Sequence, residues 1–214
     1  MGRVRVSNPR APRRSTGLTL IELMVAVAVA AIILGLAAPS FSEYIVTQRL
    51  RSIHAQMATD LQFARSEAVA RSAYVSVRFQ ADSGLTCYVI FTRPDPAITP
   101  PLPDTCDCTA APGARCSSYP TSTTELRTVT IPQELKVRIL PPSPLPTPQP
   151  DTVSFDPRSA GLRFPAADTA TLVANGFQME SSAEGNRSLR MIVLPSGRPR
   201  LCTPVGSTLG GSPC

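Results

Sequence analysis

From Leu18 to Ala38 every position is apolar except Thr19, Glu22 and Gly35. At about 1.5 Å per residue such a run makes a helix of roughly 31 Å, enough to cross the hydrocarbon core of a bilayer. Beyond Pro39 the pattern becomes periodic. Val46, Leu50, Ile53, Met57, Leu61, Ala64 and Ala68 step by three or four and draw one apolar stripe. Arg49, Arg51, Gln56, Asp60, Glu67 and Arg71 fall largely off it. Together these patterns predict one long helix from about Leu18 to about Ala70, hydrophobic all round in its first half and amphipathic in its second. Pro39 has no N–H and crowds the preceding turn, so a kink is expected there. An anchor, a short break and a separate helix would give the same pattern.

The period then falls to two. Val75, Val77 and Phe79 alternate along one predicted strand, and 87–91 pairs with it across Asp82-Ser83-Gly84. Further short strands are expected at 126–131, 135–140, 153–155, 161–164, 169–179 and 188–194. Between them, 93–120 reads as a long surface loop. The run 141–150, six of whose residues are proline, must be extended polyproline within the same domain. The class that follows is α+β, a long N-terminal helix packed on antiparallel sheet.

Charge adds an orientation. Arg3, Arg5, Arg10, Arg13 and Arg14 precede the apolar run, and no Lys or Arg recurs until Arg49. This asymmetry holds the N-terminus on the cytoplasmic side and sends the bulk of the chain across the membrane. The formal charge of +6 is largely these arginines; beyond residue 17 the chain carries 16 basic and 15 acidic residues. Net charge therefore gives no argument for nucleic acid, and local clustering must carry any such claim. Glu22 is the exception inside the run, because a carboxylate in a bilayer costs a few kcal/mol unless it is paired. A secretory signal peptide would be shorter and end in a better cleavage site than Leu36-Ala37-Ala38-Pro39. An ordinary signal anchor leaves Glu22 unexplained. Cutting after Gly17 would give Leu18 a new α-amine, a cation for the Glu22 of a neighbouring subunit.

All six cysteines, Cys87, Cys106, Cys108, Cys116, Cys202 and Cys214, lie beyond the apolar run. An even count in an exported domain reads as disulfides. Cys106, Cys108 and Cys116 would staple the 93–120 loop, one of them reaching Cys87, and a Cys202–Cys214 bridge would close a small loop at the tail. Six cysteines leave the full pairing open. No metal site is expected: His54 is the single histidine, and Cys106-x-Cys108 is tighter than common zinc-ligand spacing. With one imidazole, no phosphate-binding glycine loop and no Gly-x-Ser-x-Gly, the chain is read as a non-enzyme with no cofactor.

Gly17-Leu18-Thr19-Leu20-Ile21-Glu22-Leu23-Met24, after its basic leader, resembles the prepilin motif of type IV pilins and type II secretion pseudopilins. The resemblance implies cleavage by prepilin peptidase after Gly17, methylation of the Leu18 amine, and assembly through Glu22 and Pro39 with major and minor pilins or pseudopilins. Leu18 departs from the family's usual phenylalanine. The implied organisation is a cleaved leader 1–17, a transmembrane and assembly half-helix 18–40, and a periplasmic domain 41–214 that includes the amphipathic half 41–70. The chain would sit in a bacterial inner membrane by a single pass and become filament-associated after assembly.

The stretch from Leu50-Arg51-Ser52 through Leu61-Gln62-Phe63-Ala64-Arg65-Ser66-Glu67-Ala68 is similar to the second half of the helix in the GspH/FimT family, and Phe155-Asp156-Pro157-Arg158 with Gly161 resembles a turn of the same family. Near the C-terminus, Pro195-Ser196-Gly197-Arg198-Pro199-Arg200 is similar to the Gly-Arg-x-Arg motif of FimT-type minor pilins, which bind DNA during uptake. That resemblance implies a DNA contact at Gly197, Arg198 and Arg200, with Arg187 and Arg190 nearby in sequence. Two phosphate contacts give a salt slope of only about −1.8, so further cations must join them, from Arg187, Arg190, Arg158 or neighbouring subunits. Three roles follow as expectations: a minor pilin at the tip of a type IV pilus, the H pseudopilin of a type II secretion system, or an unprocessed signal-anchored periplasmic β-domain.

Overall fold

A computed structural model describes residues 19–93, 106–116, 123–141, 151–163 and 176–214, without the side chains of 36–40. The chain divides into two compact units, Met1–Ser42 and Glu43–Cys214.

Helix α1 runs from Leu20 to Arg71. It begins where Thr19 Oγ1 accepts the Glu22 N–H at 3.3 Å, the N-cap half of a Thr-x-x-Glu capping box. It stops where Ser72 turns left-handed (φ 51). There the Ser72 and Ala73 N–H groups donate back to the Val69 and Ala68 carbonyls, a Schellman closure. The helix is continuous past Pro39, which removes the alternative of two separate helices. In the first unit every large apolar side chain from Leu20 to Leu34 is exposed.

In the second unit the stripe does what its spacing predicts. Leu50, Met57, Leu61, Ala64 and Ala68 are buried with the inner faces of two sheets in one core. The first sheet has the order β3-β2-β1-β5-β6, from β1 (Tyr74–Ala81), β2 (Leu85–Arg93), β3 (Thr124–Pro132), β5 (Thr152–Phe155) and β6 (Leu162–Arg163). The second has the order β4-β7-β8-β9, from β4 (Val137–Leu140), β7 (Phe177–Ala183), β8 (Arg187–Val193) and β9 (Pro199–Cys202). The pairings among these nine strands are antiparallel. Phe79 stands at the centre, its ring 5.5 Å from Tyr88 and 5.6 Å from Phe177, and so joins the inner faces of both sheets.

Strand β2 reads as an unbroken apolar run because it is covered on both faces. Tyr88 and Ile90 face the helix core, while Cys87, Val89 and Phe91 lie under a cap made by Cys106 and Cys108. That cap is tied by Cys87–Cys108 and Cys106–Cys116, and Cys202–Cys214 closes the C-terminal loop. Two sequence expectations need correction. The strand expected at 169–179 is β7 at Phe177–Ala183, with 169–175 outside the described residues. The segment Pro199–Cys202, not among the expected strands, forms the short edge strand β9.

Candidate functional site

Three sets of residues could carry function: the start of α1, the buried polar groups of its second half, and the hairpin between β8 and β9. At the first, Gly17 and Leu18 lie outside the described residues. Glu22 is exposed on the first turn of α1, where a carboxylate also complements the helix dipole. Among the described residues no helix offers an apolar window long enough to cross a membrane; residues 36–40, part of the expected span, are outside those with described side chains.

Asp60, expected off the stripe, is buried at 1 % exposure. It is held there by two partners from the first sheet: Tyr88 Oη donates to Asp60 Oδ2 at 2.7 Å, and Arg127 Nη1 donates to Oδ1. The Arg127 guanidinium also lies 5.0 Å from the centroid of the Phe63 ring, a cation–π contact. Burial first, and the Asp60 carboxylate second, push the Tyr88 hydroxyl far above its ordinary pKa. The second buried group is His54, at 3 % exposure. Its Nδ1 shares a 3.0 Å hydrogen bond with Ser181 Oγ of β7, while Nε2 has no partner meeting hydrogen-bond geometry among the described residues. Burial lowers its pKa to about 4, and the nearby Arg190 backbone carbonyl offsets this only in part. Asp60 and His54 thus fasten one helix to two different sheets. Neither arrangement presents a reactive group to solvent.

The β8–β9 hairpin is shaped by Gly197, buried with φ +77. A Cβ there would stand 2.2 Å from the Ala160 carbonyl oxygen and 3.1 Å from Arg65 Nε, so only glycine fits. The Leu194 N–H donates to the Arg198 carbonyl at 3.0 Å and the Gly197 N–H to the Leu194 carbonyl at 2.8 Å. This closed turn rests on the loop between β5 and β6. The Leu162 N–H donates to the Pro195 carbonyl at 2.9 Å, and Arg65 Nε donates to the Ala160 carbonyl at 3.0 Å. Asp156 organises the loop: its Oδ1 accepts the Arg158 and Ser159 N–H groups, which hold its pKa below the ordinary carboxylate value. Three segments singled out separately in the sequence (Arg65, 156–161 and Gly197) therefore meet at one point.

The four candidate arginines separate into two pairs. Arg190 is bound to Glu180, with Nη2 at 2.9 Å and Nε at 3.3 Å from Oε2. Arg187 donates from Nε to the Glu184 carbonyl at 2.7 Å and from Nη1 to the Glu43 carbonyl at 3.4 Å. Arg198 and Arg200 are exposed, and among the described residues their guanidinium groups have no ion pair or hydrogen bond. An acid thus neutralises Arg190, and two backbone carbonyls hold Arg187.

A long N-terminal helix over antiparallel sheets, stapled by disulfides, defines a type IV pilin-like subunit. Residues 12–38 match the model of the prokaryotic N-terminal methylation motif, a motif that points to inner-membrane anchoring with a periplasmic domain. Residues 55–197 match the model for type II transport protein GspH, and the chain belongs to that family. The match covers the second part of α1, both sheets as far as β8, and the hairpin up to Gly197, leaving Arg198 and Arg200 just beyond it. No curated protein and no solved structure gives a match.

Proposed function

We propose that this chain is a minor subunit of a type IV pilus, a structural component rather than an enzyme. The observation that carries the reading is the first part of α1, where every large apolar side chain from Leu20 to Leu34 is exposed and Glu22 is the lone charge. An apolar surface of that size needs a bilayer before assembly and packed neighbouring helices after it. Prepilin peptidase cuts after Gly17 and methylates Leu18. Glu22 then pairs with the N-terminal amine of an adjoining subunit, and Pro39 lies within the packed half-helix. The Glu43–Cys214 unit is displayed outside, at the filament tip.

Co-expression of the full chain with a prepilin peptidase, followed by intact-mass measurement, tests this. The expected product begins at Leu18 and carries one added methyl group; a mass unchanged from the full-length chain would sink the pilin reading.

Within the pilus, Arg198 and Arg200 contact the DNA phosphate backbone. Arginine forks match phosphate geometry, and these two, on the turn held by Gly197 and Arg65 and on β9 just after it, are unengaged among the described residues. A second reading, the H pseudopilin of a type II secretion system, is favoured by the description of the matching family model and by the engagement of Arg187 and Arg190 in local pairs. Salt-dependent DNA binding separates the two, since the pseudopilin reading predicts none.

A further inference from the structure

If Arg198 and Arg200 meet DNA, they need further cations, and Arg158 is one that the sequence offers. The β8–β9 turn does not stand alone. It is seated on the 156–161 loop so closely that a Cβ on Gly161 would lie 3.0 Å from the Pro195 carbonyl oxygen and one on Gly197 would lie 2.2 Å from that of Ala160. Ala160 itself is left-handed (φ 54), a conformation that costs a non-glycine residue energy and persists only where its surroundings enforce it. Here its N–H donates to the Asp156 carbonyl at 2.9 Å and its carbonyl accepts from Arg65 Nε. The two turns therefore form one rigid body. Arg158 projects from the lower turn: its backbone N–H is held by Asp156 Oδ1 at 2.8 Å, its side chain is exposed, and among the described residues its guanidinium has no partner.

We infer that the phosphate-binding surface is composite, with Arg158 of the 156–161 turn acting beside Arg198 and Arg200 of the hairpin. Arg187 and Arg190, the nearest in sequence, take no part. This inference rests on the DNA reading given above. It replaces a cluster along one strand by a three-cation surface across two docked turns. Each phosphate contact contributes about −0.9 to the slope of log affinity against log salt on duplex DNA, so three predict about −2.7.

The test uses the full mature chain in non-ionic detergent micelles and a short fluorescent DNA duplex, titrated at several salt concentrations. Arg158→Gln is expected to weaken binding and flatten the slope by about 0.9. Arg158→Lys should restore the slope, because it keeps a point charge at the same place. Lys136→Gln, which removes an exposed cation near Glu184, should leave both quantities unchanged. If Arg158→Gln binds as the wild type does while Arg198→Ala/Arg200→Ala abolishes binding, the composite surface is overturned and the hairpin reading stands. Equal flattening by Lys136→Gln would also overturn it, since any cation would then do. No binding by the wild type would remove the hairpin reading and the composite surface together.

Discussion

Between Leu20 and Leu34, α1 exposes all its large apolar side chains; between Leu50 and Ala68 the same helix buries a full stripe of them. Polar groups show the reverse. In the first stretch the single charge, Glu22, is exposed, whereas in the second Asp60 and His54 are buried with partners on separate sheets. One stretch finds its partners within its own fold, and the other must find them outside it. A helix whose composition alone suggests a membrane anchor continues into the spine of a folded domain. The contrast predicts that substitutions in the second stretch unfold the monomer, while those in the first disturb only what it assembles with.

A clear effect is expected at Asp60. Asp60→Ala leaves the buried Tyr88 hydroxyl without its acceptor, at a cost of about 1–3 kcal/mol, while Arg127, whose side chain is 48 % exposed, turns to water. Urea unfolding of the full chain in detergent, followed by circular dichroism, would read this as a lowered midpoint. A loss below about 1 kcal/mol would mean that the pair does not fasten the helix.

Next come two truncations of the same kind in the two stretches. Leu61→Ala empties core volume and should cost about 2–5 kcal/mol. Val27→Ala, exposed in the monomer, should stay within about 0.5 kcal/mol. Equal costs in the same unfolding experiment would erase the contrast between the two stretches.

A smaller effect follows from His54. Its folded pKa of about 4 lies below the ordinary 6.5, so the unfolded chain binds the proton more readily. The stability from keeping the ring neutral is therefore fully present above pH 6.5 and is lost as pH falls toward 4. Between pH 7 and pH 5 the loss should be roughly 2 kcal/mol, and His54→Phe should abolish most of that dependence. A pH profile unchanged by the substitution would show that His54 is not the titrating group.

Much of this organisation is legible in the sequence, and what is hidden shares one cause. The helix stripe is visible because neighbours on a helix face recur every three or four residues, and β2 because its apolar residues are continuous. Asp60 was not legible as a buried residue. Its partners Tyr88 and Arg127 lie 28 and 67 positions away, and a carboxylate beside an apolar stripe usually faces water. An even cysteine count announces disulfides, yet only the folded chain shows that Cys108 reaches β2 while Cys106 closes on Cys116. Gly197 marks a turn in any reading of the chain; that the turn presses on the Ala160 carbonyl depends on contacts across distant segments. The Arg190–Glu180 pair was hidden for the same reason, because Glu180 comes opposite Arg190 only through the β7–β8 register.

The central claim is that the first stretch of α1 is completed by other subunits, with Glu22 setting the contact. The most direct measurement compares wild type and Glu22→Ala in cells that make the filament, by quantifying the subunit in sheared filaments and in membranes. The account predicts equal amounts in the membranes and a filament fraction that contains the wild type and lacks the variant. Incorporation of Glu22→Ala at the wild-type level, or absence of both from the filaments, would contradict it.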